Sequence, residues 1–236
     1  MTGRIPLIDL ARTAALLAMI VFHVGRDMDV LGLVTPGTTF TTGWRWAAYL
    51  IAGSFVGLAG ASLWLAHGRG VRWAGFGRRL GVLVLAAAVV SVATYVTFPG
   101  AWVRFGILHS IAASSVIGLA FLRLPWFATA VVGTGLIAAS GATGLDGPLR
   151  FVVGLSRDVP PMMDWEPLVP WTGPFLVGLG VAKAADGAGL LDGLRGWPDG
   201  RLWDRLAWPG RHSLAVYMIH QPVIVGVLMA WGWVMA

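Results

Sequence analysis

The chain has 236 residues, of which 57% are hydrophobic and only 12% are charged, and its mean hydropathy is +0.75. A soluble domain of this size needs a far more charged surface, so the composition excludes a soluble globular protein. The net charge of +6 is explained by basic loops that face anionic lipid headgroups, and we expect no nucleic-acid binding. The lack of cysteine excludes disulfides, cysteine-ligated zinc and a thiolate nucleophile.

Apolar runs long enough to cross a hydrocarbon core of about 30 Å recur along the whole chain. They predict an all-α, polytopic membrane helical bundle that forms a single domain over residues 1–236. The predicted spans are, in chain order, 7–25, 44–66, 79–97, 105–122, 125–143, 168–184 and 212–234. With the N-terminus inside, eleven basic residues fall in cytoplasmic loops and five on the other side. This asymmetry predicts an N-in/C-out protein, and we expect it in a bacterial cytoplasmic (inner) membrane.

The first span keeps three ionisable residues, Asp9, Arg12 and His23. Charged groups are costly in lipid and usually face a bundle interior or a polar cavity, so each is a candidate functional residue. The eleven positions from Arg12 to His23 bring the helix about 20° past three full turns, over a rise of roughly 16 Å. Both side chains therefore share one face of the helix, near opposite membrane surfaces.

Two other interpretations of these residues stay open. Asp9 and Arg12 are three positions apart and could form only an ion pair that fixes the depth of the helix. His23 could contact headgroups or a neighbouring backbone. A proton path along Asp9, Arg12 and His23 would instead suit a small transporter or proton-coupled carrier, and purely structural packing of polar side chains is a further alternative.

Two loops carry most of the remaining charge. The predicted inside loop 184–211 contains DGRLWDRLAW, whose alternating apolar and basic residues predict a short helix in the headgroup layer. Its arginines could also meet a phosphorylated cytosolic ligand, because the guanidinium fork suits phosphate. The predicted outside loop 144–167 is polar and carries several carboxylates. It is either a cover over an extracytoplasmic acceptor site or a solvated connector.

Four segments of the chain have recognisable sequence patterns. LIDLARTAALLAMIVFH, with its arginine and histidine separated by ten residues, is similar to membrane acyltransferases of the acyltransferase-3 type. The other three segments are RFGILHSIAASSVIGLAF, WEPLVPWTGPFLVGLGVA and GRHSLAVYMIHQPVIVGVLM. Together the four resemble the heparan-alpha-glucosaminide N-acetyltransferase catalytic-domain family, and they run from the first predicted span to the last.

The resemblance implies an integral membrane enzyme that moves an acetyl or other acyl group from cytosolic acetyl-CoA or acyl-CoA to an amine or hydroxyl acceptor across the membrane. A glycan or amino sugar at the cell envelope is the expected acceptor, with membrane lipids around the protein and homo-oligomers allowed. In this interpretation Arg12 and Asp9 hold the donor's phosphate end, His220 lines the donor tunnel, and His23 is the general base or an acyl carrier. Asp27, four residues further on, would orient the His23 ring.

One departure from the family pattern affects the choice of catalytic residue. The lysosomal member of the family carries its catalytic histidine in the segment after the first span, but residues 29–43 of this chain contain no histidine. Either His23 carries the role itself, or His109 of the fourth predicted span supplies it. No H-x-x-H or H-E-x-x-H spacing occurs in the chain, so no metal is expected.

Overall fold

The computed structural model describes residues 5–141, 150–155 and 159–235. These ranges are all-α, as predicted, and their only β-type pairing is an isolated bridge between Phe105 and Trp165. The helices are α1 Pro6–Val30, α2 Thr42–His67, α3 Trp73–Thr97, α4 Ile107–Phe121, α5 Trp126–Ala138, α6 Arg150–Val153, α7 Leu168–Gly187, α8 Leu190–Leu194, α9 Arg201–Leu206, α10 Trp208–Arg211 and α11 Ser213–Met235.

A helix occupies each of the seven predicted spans, although residues 142–143 of the fifth span lie outside the described ranges. Within the described ranges, five helices are long and apolar enough to cross a membrane: α1, α2, α3, α7 and α11. The helices α4 and α5 have 15 and 13 residues, which is about 20 Å of helix each and less than the hydrocarbon thickness. The helical membrane architecture is therefore confirmed, whereas the count of seven spans and the N-in/C-out orientation stay predictions.

The end of α1 is fixed by a Schellman motif, which sets the position of the polar residues in its last turns. Gly32 adopts a positive φ of 71° directly after the C-cap Leu31, a conformation that suits glycine because it has no Cβ. The amides of Gly32 and Leu33 then donate to the carbonyls of Asp29 and Met28, at 3.2 and 2.8 Å. The Asp29 carboxylate in turn accepts hydrogen bonds from the following loop.

The chain divides into two compact units, and the first comprises residues 1–55 and 191–236. In this unit α1 contacts α9, α10 and α11. Leu16 and Met19 of α1 are buried. The closest backbone approach is at Gly210, where an added Cβ would lie 1.8 Å from the carbonyl oxygen of Asp9. Only glycine therefore allows α10 to lie directly on α1.

The second unit comprises residues 56–190 and is built around α7, which contacts α4, α5 and α6. Phe175, Leu176 and Leu179 of α7 are completely buried. Lys183, also on α7, donates to the carbonyl of Phe121 at 2.8 Å and to that of Leu124. These carbonyls belong to the C-terminal end of α4 and the turn after it, where intrahelical donors run out. The Phe121 carbonyl also accepts from the Leu124 amide at 3.2 Å, and the buried ammonium ties this turn to α7.

Candidate functional site

The first unit contains a group of charged residues near the start of α1, which we call the arginine cluster: Asp9, Arg12, Asp204 and Arg211. Asp9 is 2% exposed, and its Oδ1 accepts from Arg12 at 2.8 Å. Arg211, from α10, places its Nε 3.8 Å from Oδ2 of the same carboxylate and pairs with Asp204 at 2.5 Å. Two guanidinium groups therefore flank one buried carboxylate.

The geometry of the arginine cluster depends on the contact between α10 and α1. The amide of Gly210 donates to Oγ1 of Thr13 at 2.9 Å, and this hydroxyl donates to the Asp9 carbonyl at 3.1 Å. The next residue along the chain is Arg211, so this contact sets its distance from Asp9. The Nε of Arg211 is buried and has no hydrogen-bond partner within the described residues. It is a donor that an anionic ligand would satisfy.

Further along α1, the same unit contains a second group, which we call the histidine cluster: His23, Asp27, His220 and Gln221. The rings of His23 and His220 lie 4.9 Å apart, centroid to centroid, with their planes inclined by 60°. His220 is 8% exposed, whereas His23 is half-buried. The sequence predicted roles for both histidines but assigned His220 to the donor, and the structure places it beside His23.

Asp27 belongs to the histidine cluster through a contact that was not predicted. Its two carboxylate oxygens accept hydrogen bonds from Nε2 of Gln221, at 3.0 and 2.8 Å. No hydrogen bond joins Asp27 to His23 within the described residues, so no contact supports the prediction that Asp27 orients the His23 ring. The carboxylate does lie close enough to His220 to interact with it electrostatically, and Arg26 acts on Asp27 in the same way.

The two clusters lie on one continuous helix, because α1 runs unbroken from Pro6 to Val30. The eleven positions from Arg12 to His23 therefore correspond to a rise of roughly 16 Å, as predicted from the spacing. One end of this path carries the guanidinium groups and the other carries the imidazoles. An elongated ligand with an anionic end is the kind of molecule that such a path suits.

His109, the other predicted catalytic residue, belongs to the second unit, where both of its ring nitrogens are engaged. Nδ1 accepts from the amide of Gly106 at 3.2 Å, so in the neutral ring the proton is on Nε2. Nε2 lies 3.4 Å from the hydroxyl of Ser91, which itself donates to the Val103 carbonyl at 2.7 Å. These contacts cap the N-terminus of α4 and leave no free lone pair for proton abstraction. The catalytic role of His109 stays a prediction.

The polar loop before α7 holds a pair of carboxyl groups in the second unit. Asp164 accepts from the amide of Ile107 at 3.0 Å, and burial raises its pKa to about 6. Burial, and then the charge of Asp164, raises the pKa of Glu166 well above its usual range. The Oε2 of Glu166 is buried and has no partner within the described residues. Residues 144–149 and 156–158 of this loop lie outside the described ranges, so its role as a cover stays a prediction.

A family model described as "Heparan-alpha-glucosaminide N-acetyltransferase, catalytic" matches residues 4–222. This match spans both clusters and every helix up to the first half of α11. No curated protein and no solved structure matches the chain. Across the described ranges, no group of three or more histidine or acidic side chains is placed to hold a metal ion.

Proposed function

Because the chain belongs to the heparan-alpha-glucosaminide N-acetyltransferase catalytic-domain family, we propose that it transfers an acetyl or other short acyl group from cytosolic acyl-CoA to an extracytoplasmic acceptor. The acceptor is an amine or hydroxyl of a sugar or glycan. The family match supports a membrane acetyltransferase, and the path between the arginine and histidine clusters supports the finer proposal. A bacterial inner membrane is the proposed location.

The arginine cluster is the proposed binding site for the phosphates of the donor. Arg12 and Arg211 each carry a planar fork of donors that matches phosphate oxygens. In the present geometry Asp9 and Asp204 satisfy part of those donors, so phosphate would compete with carboxylate. It would also reach the Nε of Arg211, which lies 3.8 Å from Asp9 and has no hydrogen bond within the described residues. Arg12 was predicted for this role, and Arg211 is added to it by its contact with Asp9.

The histidine cluster is the proposed site of acyl transfer. A pantetheine arm that follows α1 from the arginine cluster would bring a thioester to His23 after roughly 16 Å. There an imidazole removes the acceptor's proton while the acceptor attacks the thioester carbonyl. Alternatively, His23 takes the acyl group first and passes it to the acceptor. Both routes release CoA as its thiol and leave the acyl group on the acceptor.

The experiment that tests this proposal measures acetyl-CoA binding and acetyl transfer by the detergent-purified protein. We expect Arg12→Ala to weaken acetyl-CoA binding at least tenfold, because one charge-assisted hydrogen bond contributes about 1.5–3 kcal/mol. We expect His23→Ala to keep binding and to lower turnover. His212→Ala is the matched control, since His212 is an exposed histidine whose ring contacts Trp208.

A folded wild-type protein that neither binds nor turns over any acyl-CoA would overturn the proposal. A small transporter would then be the function to test, beginning with proton flux in proteoliposomes. Glucosamine and a lipid-linked amino sugar are suitable first acceptors, because each offers both an amine and hydroxyl groups. The product's mass and its stability to mild base distinguish N-acylation from O-acylation.

A further inference from the structure

The backbone around His220 fixes which of its two ring nitrogens is basic. Nδ1 is hydrogen-bonded to the carbonyl oxygen of Tyr217, one turn earlier in α11. A carbonyl oxygen can only accept, so Nδ1 must donate and must carry the ring proton. Neutral His220 therefore has its lone pair on Nε2. A histidine held in one tautomer by its second nitrogen is the arrangement that general bases require.

The Nε2 atom of His220 is buried and has no hydrogen-bond partner within the described residues. The same holds for Oε1 of the next residue, Gln221. Buried polar atoms are almost always hydrogen-bonded, but these two acceptor atoms, on consecutive residues, have no partner within the described residues. A ligand that brings an N–H or O–H donor to either atom would satisfy it, and an acyl acceptor carries such donors.

The two histidines of the cluster differ in how firmly they are held. His23 makes no hydrogen bond across the described ranges, and its contacts are ring contacts with His220 and Phe22. Neither nitrogen of His23 is therefore assigned as the basic one. His220 is the more buried residue of the pair and the only one of the two with a backbone contact that sets its tautomer.

One nearby charge would stabilise a positive ring on His220 at the moment of proton transfer, against the cost of burying that ring's charge. The Asp27 carboxylate, held by Gln221 through two hydrogen bonds, interacts electrostatically with His220. The other ionisable groups in the vicinity are His23, Arg26 and Tyr217. In catalytic triads a carboxylate stabilises the imidazolium without accepting its proton; here Asp27 would act through its charge alone, because Nδ1 of His220 donates to the Tyr217 carbonyl.

We propose that His220 is the general base of the transfer, with Nε2 as the proton acceptor, and that Asp27 and Gln221 are positioning residues. The inference rests on the proposed acyltransferase function. The acceptor's N–H or O–H donates its proton to Nε2 while its heteroatom forms a bond to the thioester carbonyl carbon. The carbon–sulfur bond then breaks, and the thiolate takes the proton back from Nε2, so CoA leaves as the thiol and the ring returns to neutrality.

The test compares His220→Gln with His23→Gln in the purified protein, with His212→Gln as control. We expect His220→Gln to bind acetyl-CoA within about threefold of wild type and to lose roughly 10²- to 10⁴-fold in kcat, the range that general-base catalysis supplies. We expect His220→Ala to regain part of its turnover with added imidazole, which a residue with a packing role would not show. Monodispersity and melting temperature report whether each variant is folded.

The pH profile of His23→Gln makes the test independent of whether the His220 variants fold. If His220 is the base, we expect kcat to rise with pH in wild type and to keep that rise in His23→Gln. Loss of that rise in His23→Gln, or full turnover in folded His220→Gln, would overturn the inference while the acyltransferase function stands. A folded wild-type protein without any transfer would overturn the proposed function itself.

Discussion

Replacing Gly210 with alanine tests the donor site through its geometry, without removing any charge. The new Cβ would lie 1.8 Å from the Asp9 carbonyl oxygen, 2.8 Å from its carbon and 2.9 Å from Oγ1 of Thr13. An ordinary carbon–oxygen contact is about 3.2 Å or longer, so α10 must retreat by more than about 1 Å from α1. The obstacle is backbone, which no side-chain rotation can clear. Overpacking of this kind costs about 1–3 kcal/mol.

The same displacement would change the arginine cluster. Arg211 Nε already lies 3.8 Å from Asp9, and a further 1 Å or so carries the guanidinium out of range of the phosphates that Arg12 would hold. We therefore expect Gly210→Ala to lower the melting temperature by several degrees, at roughly 2–4 °C per kcal/mol for a chain of this size. We also expect acetyl-CoA affinity to fall about tenfold.

The assay is a thermal melt and an acetyl-CoA titration of the detergent-solubilised protein. Gly226→Ala is the matched control, because Gly226 lies in α11 of the same unit and an added Cβ there meets nothing within 4 Å. If Gly210→Ala melts and binds acetyl-CoA as wild type does, the tight approach of α10 to α1 does not set the donor site, and the reasoning is refuted.

Two further predictions concern the second unit. Because burial raises the pKa of Asp164 to about 6, against about 3.9 when unfolded, its stabilising contribution is complete below pH about 4 and is lost as the pH rises through 6. In thermal melts, the free energy of unfolding of Asp164→Asn should therefore change less between pH 4 and 7 than that of wild type, by at most about 3 kcal/mol. An unchanged slope would contradict the burial of the Asp164 carboxyl group. Lys183→Met should lower the stability by about 1–3 kcal/mol, since the Leu124 carbonyl loses its donor and the Phe121 carbonyl keeps only the Leu124 amide. Lys183→Arg should lose less in the same melts, and equal losses would show that the hydrogen bonds do not matter.

The fold was largely predictable from the sequence because lipid leaves the backbone few options. A segment in the hydrocarbon region must satisfy its hydrogen bonds internally, so an apolar run of sufficient length is a helix. All seven predicted helices follow from this constraint, including α1, which continues past its predicted end to Val30. The short helices α8 and α10 do not follow from it, because their ends depend on local turns and on the contact between Gly210 and α1.

The site was predictable only where its residues lie on one helix. The face shared by Arg12 and His23 follows from the helical repeat, and the continuous α1 keeps it. The partner of Asp27 was not predictable, because helical spacing pointed to His23 whereas the carboxylate is bound by Gln221 of α11. Likewise, no local pattern in the sequence indicates that Arg211 meets Asp9, since that contact depends on packing between distant segments.

The contact between Asp27 and Gln221 joins residues 194 positions apart, with the whole second unit between them in the chain. During synthesis, the histidine cluster is therefore incomplete until α11 has been made and inserted. A nascent or truncated chain that ends before α11 would contain His23 but neither His220 nor Gln221. Until α11 has been made, such a chain lacks both the proposed general base and the side chain that binds Asp27.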